Sequence, residues 1–419
     1  MQRIPMFALL RDRNFRFLWF GQICSQFGDR LTQMVLVALV AQRASGSTLA
    51  MAAVMAMTSL PALVVNPFAG AYVDRWDRKR TMIICDLIRA LGILLFPWLA
   101  VFSNGIPLYI GIFAVFSVAA FFVPARLAII PDLVAPKDLA QANALFSSSG
   151  MIGSAVILLA GALLVEWVGI AKSCWVNGAS YVASALFIVP IVRARRRREK
   201  APHSVPFILR EIEEGIVELW KHRDTRRATL LVGLLTAGAG ASFVVGAVMV
   251  QKALGSVTKD LGFLSLWTGV GMFVGALVYG RWGSRAPRQM ILGLSFMGAG
   301  AALWLFITAV LWLKSGVAAS AASGFLGFWI APVGIVTNTL VHEGHTARLH
   351  GRIFSSMGVA MNFALILSML IAGWLAERGQ RGIVLACIGG IFAFSGLILL
   401  CYTEPRRQKS RLHPHSYSK

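Results

Sequence analysis

The chain has 419 residues, 57% of them hydrophobic and 14% charged, with a mean hydropathy of +0.70 and a formal net charge of +22. A soluble globular protein carries roughly 25% charged residues, so this composition excludes an ordinary water-soluble fold and requires lipid as the solvent. Nor does the basic excess indicate nucleic-acid binding, because Lys and Arg cluster in alternate connections between apolar segments, which is a topology signal with some attraction to anionic headgroups.

A helix crosses the hydrocarbon core with about 20 residues at about 1.5 Å each. On that length the sequence predicts twelve spans, near 15–42, 49–73, 80–103, 106–130, 138–166, 170–192, 227–253, 259–281, 289–313, 316–341, 352–376 and 380–402. The fold class is an all-α membrane protein. Met1 to Arg16 is basic and runs straight into the first span, which predicts no removable signal peptide. With the N-terminus inside, the outer connections hold only Arg43, Lys172, Lys252, Lys259, Lys314, Arg378 and Arg381. This asymmetry predicts both termini in the cytoplasm and an even number of spans.

In span one, Asp29 lies about 21 Å from the helix start, near the bilayer midplane. Gln22, Gln26 and Gln33 share its face at helical spacing, while Arg30 points about 100° away. A charged Asp at that depth is costly unless paired. Two readings stand side by side: Asp29 exchanges a proton or binds a cationic group, or it is a structural carboxylate paired with Arg30 or Arg126. Spans two and three are joined by Gly70-Ala-Tyr-Val-Asp74-Arg75-Trp-Asp77-Arg78-Lys79-Arg80. In this turn Gly70 allows close helix approach, and Asp74 can accept N–H groups at a neighbouring helix N-terminus. Arg75 and Arg78 can pair with acids on adjacent helix ends, Asp132 and Asp86 being the candidates. Asp86 and Arg89 have helix-pair spacing in span three. With Arg126 of span four they form a candidate charge relay, or a static ion-pair network.

The connection 193–226 opens with Arg193-Ala-Arg195-Arg196-Arg197-Arg198 and continues into an amphipathic stretch. There Ile208, Ile212, Ile216, Leu219 and Trp220 share one helical face, and Glu211, Glu214 and Glu218 the other. It reads as a helix on the inner membrane surface. Asn66, Asn177, Asn338 and Asn362 lie in spans, where such residues either contact substrate or bond a neighbouring helix. The glycine-rich runs follow no strand and are no nucleotide loop. His342-Glu343-Gly-His345 lacks the spacing of a zinc motif, and Cys24, Cys85, Cys174, Cys387 and Cys401 fit no metal or redox pattern. No Walker loop, cofactor site or catalytic constellation is present, so neither an enzyme nor an ATP-driven pump is indicated.

The chain repeats itself at an offset of about 210 residues. Asp12 matches Asp224, and Gly70-x-x-x-Asp74-Arg75-x-x-Arg78 matches Gly280-x-x-x-Ser284-Arg285-x-x-Arg288. Phe146-Ser-Ser matches Phe354-Ser-Ser, and Leu164-Val-Glu166 matches Leu375-Ala-Glu377. A six-span unit used twice divides the chain into 1–192, a linker at 193–226, 227–402 and a tail at 403–419.

Six plus six spans, the long central loop and the 70–80 turn resemble the major facilitator superfamily, although a Gly usually stands where Asp77 stands here. Pro124-Ala-Arg126 through Pro131-Asp132, Leu139-Ala-Gln-Ala-Asn143, Glu214-Gly215 to Trp220 and Gly351-Arg352-Ile-Phe-Ser355 are similar to its macrolide-efflux and siderophore-exporter branch. Lysophospholipid flippases share weaker versions. The Gly-Pro pair usual in span five of drug antiporters is missing from Gly150 to Gly161.

The resemblance implies a monomeric secondary transporter of the bacterial cytoplasmic membrane. It would export an amphipathic small molecule by alternating access about a midplane site, with protons as coupling ion. Asp29 would carry the proton. Gly70, Asp74, Arg75 and Arg78, with Ser284, Arg285 and Arg288, would gate, Asp74 meeting the start of span eleven. The cavity would be lined from spans one, four, seven and ten, including Gln26, Gln33 and Trp329. The alternatives are a lysophospholipid flippase without ion coupling and a non-transporting sensor or scaffold.

Overall fold

The computed structural model describes residues 6–101, 105–192, 205–344, 347–379 and 381–401. The Arg193–Arg198 run, the tail, and the side chains of Ser284, His342, Glu343, His345 and Arg352 lie outside the described residues. The described chain is helical, without strands. The helices are α1 (Arg13–Arg43), α2 (Thr48–Val64), α3 (Asn66–Val73), α4 (Arg78–Leu99), α5 (Ile106–Leu133), α6 (Leu139–Ile188) and α7 (Val205–Lys221). There follow α8 (Arg223–Leu254), α9 (Lys259–Trp282), α10 (Arg288–Leu311), α11 (Gly316–Gly344), α12 (Ala347–Glu377) and α13 (Arg381–Cys401).

Among the described residues, nine helical segments are long and apolar enough to cross a membrane. The other three expected spans are helical too, and each departs for a visible reason. α1 carries Arg13, Arg16, Asp29, Arg30 and Arg43. The second span is broken in two, because Pro61 and Pro67 remove backbone donors on either side of the α2–α3 joint at Val65. α6 contains two limbs joined at Gly169, whose φ of 80° and ψ of 171° suit only glycine. Gly150 and Gly161 meet Gln26 and Leu31, so the first limb runs parallel to α1. Tyr181 and Ile188 meet Gly28 and Gly21, so the second limb runs back.

Helices α1 to α6 pack on one another, as do α8 to α13. The two sets meet mainly through α2 against α12 and the first limb of α6 against α9. Lipid gives no hydrophobic drive for helix association, so close packing of small residues has to supply it. At Gly373 an added Cβ would stand 2.5 Å from the Ala52 Cβ, and at Gly262 2.6 Å from the Ala162 Cβ. Both contacts lie at the end of the molecule carrying Ser47, Glu166 and Glu377, here called the latch end. The opposite end carries residues 74–80 and Arg285 and is called the turn end.

α7 is amphipathic as expected, but its apolar face is divided. Leu219 is buried with Ala228, Val341, Ile353 and Met357, whereas Ile216 and Trp220 are exposed. An Arg210–Glu214 pair at 3.1 Å runs along the helix. At the helix starts, Asp12 caps α1 by accepting from Phe15 N at 2.8 Å, and Asp77 caps α4 by accepting from Arg80 N at 2.9 Å.

Candidate functional site

The most concentrated polar chemistry lies inside the first six helices. Arg89 of α4 is 1% exposed. It donates to Asp29 Oδ1 at 2.7 Å, to Ser25 Oγ at 2.7 Å and to Asp86 Oδ1. Its guanidinium carbon lies 4.8 Å from the ring centre of Phe122 and 4.4 Å from that of Tyr181, both favourable cation–π distances. Asp86 is fully buried and also accepts from Ser25 Oγ at 3.2 Å and Ser184 Oγ at 2.6 Å.

Asp29 receives the Tyr181 hydroxyl at 2.9 Å, again on Oδ1. Its side chain is 46% exposed, and neither bond involves Oδ2. Gly28 makes this arrangement possible, since a Cβ there would lie 2.7 Å from the Tyr181 ring and push the phenol out of reach. Asn177 completes the polar column by donating to Thr32 Oγ1 at 2.8 Å.

Two carboxylates therefore share one guanidinium, and this corrects the expected pairings. Asp29 is held by Arg89 and Tyr181, not by Arg30 or Arg126. Arg126 does not join the Asp86–Arg89 relay; its guanidinium carbon lies 5.9 Å from the Phe146 ring centre instead. Ser25, Ser184 and Tyr181 take the places assigned to it. Asp132, also expected in the charge relay, stands outside this cluster and instead makes the other expected contact, with the 70–80 turn. It pairs with Arg78 at 2.8 Å, near the turn end, where Arg78 also donates to Ala128 O at 2.8 Å. Lys79 donates to Ile191 O at 2.9 Å. The 70–80 turn is thus stitched to α5 and to the segment after α6.

Asp74 is exposed, and nothing among the described residues hydrogen-bonds to its carboxylate. Among the described residues the expected contact with the start of span eleven is not seen. Gly70 and Gly280 have no heavy atom within 4 Å of where a Cβ would stand, so close helix approach is not their role in this arrangement. Arg75, Arg285 and Arg288 are exposed at the same end.

The latch end holds two acids that sequence reasoning treated only as repeat markers. Glu166, near the end of the first limb of α6, accepts from Val257 N at 3.5 Å, Thr258 N at 2.9 Å, Lys259 N at 3.3 Å and Thr258 Oγ1 at 3.1 Å. Those donors form the N-terminus of α9. Glu377, the last residue of α12, accepts from Thr48 N at 2.7 Å and Leu49 N at 3.1 Å at the N-terminus of α2. Arg381 adds bonds to Gly46 O at 2.6 Å and Thr48 Oγ1 at 3.3 Å. Each carboxylate crosses from one set of helices to the other and lands on the positive end of a helix dipole. The register of Leu164-Val-Glu166 with Leu375-Ala-Glu377 was the available signal.

A cavity of about 430 Å³ opens between α8, α9, α10, α11 and α13, the first limb of α6, and Arg30 of α1. Its volume suits a small organic molecule. Its lining departs from expectation: no residue of α5 takes part, and Gln26, Gln33 and Trp329 are not among the lining residues. Gln33 accepts from Arg30 at 3.3 Å, and Trp329 packs edge-on against Phe325 and Phe328 with ring centres 5.9 and 5.2 Å away. Gln26 lies against Gly150.

The model of the Major Facilitator Superfamily matches residues 18–368, and the chain belongs to that family. It is 24% identical over 406 residues to a putative bacilysin exporter, BacE, of Bacillus amyloliquefaciens, covering 96% of this chain and 98% of the relative. It is also 24% identical over 404 residues to macrolide efflux protein A of Streptococcus pyogenes, covering 93% and 94%. Among solved structures, a variant of the nucleoside transporter NupG superposes with a TM-score of 0.74 at 15% identity, covering 92% of this chain and 98% of that one. Membership of that family makes the chain a membrane transporter rather than an enzyme.

Proposed function

We propose that the protein exports an amphipathic small molecule across the bacterial cytoplasmic membrane, exchanging it for protons by alternating access. In this reading the termini and the turn end are cytoplasmic and the latch end faces out. The latch end is held by Glu166 and Glu377, while Asp74 and Arg285 at the turn end are exposed, which supports an inward-facing arrangement. Export is supported by relatives named for efflux.

The observation that carries proton coupling is Asp29, half exposed, with Oδ1 held by Arg89 and Tyr181 and Oδ2 outside those bonds. The group Asp29–Asp86–Arg89, with Asp86 and Arg89 buried and Asp29 half exposed, is neutral only when one of the carboxylates holds a proton, and a net charge is costly in a membrane interior. Protonating Asp29 weakens its hold on Arg89, and that change can bias the packing of α1 against α4 and α6. The test is proton release from everted vesicles containing a pH-sensitive dye, challenged with antibiotics, cationic dyes, siderophores and lysophospholipids. Release on adding one class, lost in Asp29→Asn, is the expected result. Labelled lysolipid moving equally in both proteins with no proton signal would refute proton exchange and favour the flippase.

A further inference from the structure

Of the residues lining the 430 Å³ cavity, Arg30 alone carries a formal charge. The walls are otherwise leucine, phenylalanine and small residues, with a few hydroxyls. Three of those hydroxyls, on Ser265, Thr268 and Ser323, donate to carbonyls four residues back on their own helices at 2.8, 2.8 and 2.9 Å. They cannot supply anionic acceptors to a cation. Arg30 has five N–H donors and stays charged at any working pH. It gives one long bond of 3.3 Å to the neutral Gln33 amide, and among the described residues no carboxylate stands within ion-pair distance. Asp29, next in the chain, points about 100° around the helix and gives Oδ1 to Arg89 and Tyr181. A guanidinium with this environment is under-satisfied, and a planar anion is the group its fork fits best.

We propose that the cavity takes an amphipathic solute with an apolar body and a carboxylate, and that Arg30 anchors the carboxylate while the walls of α8, α9 and α11 hold the body. This rests on the export reading and names its substrate class. A lysolipid phosphate presents the same chemistry, an anionic head on an apolar body, so the test separates the two sources.

The experiment measures energy transfer from tryptophan to dansyl-phenylalanine and to its uncharged amide, using the full chain in nanodiscs of neutral lipid. Hydrogen bonds to charged groups contribute about 1.5–3 kcal/mol, or roughly ten- to a hundredfold in affinity. The carboxylate is expected to bind at least tenfold tighter than the amide. Arg30→Gln should bring the two to the same affinity without changing the amide, whose binding shows that the variant is folded, and Arg30→Lys should keep part of the preference. Displacement of dansyl-phenylalanine by lysophosphatidylglycerol would assign the anion to a lipid headgroup; its failure to displace would assign a free carboxylate. Equal affinities in the wild type, including binding of neither probe, overturn the proposal, as does a preference that survives Arg30→Gln. Absence of the preference in the wild type with proton release intact would refute the anchor and leave export standing. An intact preference without proton release would do the reverse.

Discussion

In the first six helices, α1, α4 and α6 bring Asp29, Asp86 and Arg89 into one hydrogen-bonded group with Tyr181, Ser25 and Ser184. In the last six, the stretches 228–251, 261–280, 289–313, 316–341, 353–376 and 382–403 contain no Asp, Glu, Lys or Arg at all. There the helices meet instead through glycines: at Gly271 and Gly300 an added Cβ would collide with the backbone of Gly324 and Gly389. The ends of the two halves, by contrast, are alike, each sending one glutamate to the first turn of a helix in the other. The two halves share their latch-end contacts and differ in their interiors, with charge in one and an apolar cavity wall in the other. In the proposed export reading this separates the group assigned to protons from the surface assigned to the solute.

The comparison can be broken hardest at Arg89. Arg89→Met strips two carboxylates, one fully buried, of their shared cation, and removing one partner of a buried pair costs about 3–5 kcal/mol. The variant should show a sharp loss of folded protein on size-exclusion chromatography and a lower melting temperature. Asp86→Asn in the same chain should recover part of that loss; a second-half change such as Ser295→Ala should cost far less.

Asp29→Asn separates stability from mechanism. Because the side chain is 46% exposed, the melting temperature should stay close to wild type, while substrate-driven proton release falls at least tenfold. A large drop in stability instead would make Asp29 a structural carboxylate.

The shared ends are tested by Glu166→Gln and Glu377→Gln. Each weakens charge-assisted bonds to a helix N-terminus by about 1–2 kcal/mol. That corresponds to roughly five- to thirtyfold in the open-to-closed ratio at the latch end. Maleimide labelling of Ala52→Cys, a fully buried position under Gly373, in a background without the native cysteines should rise accordingly. The two variants should act alike and the double variant more strongly; an effect of one alone would refute the paired latch. The smallest effect is expected at Asp77, where the superfamily resemblance leads one to expect Gly. Asp77→Gly removes the cap on α4 but keeps a residue tolerated there, so the cost should be only a few tenths of a kcal/mol in a chemical-denaturation series.

The helices were legible because hydropathy and charge act locally: an apolar run of span length has few alternatives, and Gly169 falls between two expected spans, whereas the break at Val65 lies inside the continuous span expected at 49–73. The Asp86–Arg89 pair was legible for the same reason, since i,i+3 spacing is a property of one helix. Tyr181 was not, because it stands 152 positions from Asp29 and only the reversal of α6 beside α1 carries it there. The cavity lining was misjudged on similar grounds. Gln26 and Gln33 share a helical face with Asp29, but periodicity does not say which neighbour covers that face. Arg30, expected with Asp29, Gln26 and Gln33 as a proton-coupling or substrate residue, does line the cavity, because the other half of the molecule lies in that direction. Glu166 and Glu377 were visible as a repeat, but their partners are backbone N–H groups, which no residue pattern marks.

The most direct test of the account is a pulsed electron-spin distance between nitroxides at Lys137→Cys and Arg285→Cys, one on each half at the turn end, read across pH in nanodiscs for wild type and Asp29→Asn. The account predicts a separation that changes with pH in the wild type and is independent of pH in Asp29→Asn, since the variant holds no exchangeable proton at that position. A wild-type separation that ignores pH, or the same pH response in both proteins, would contradict it.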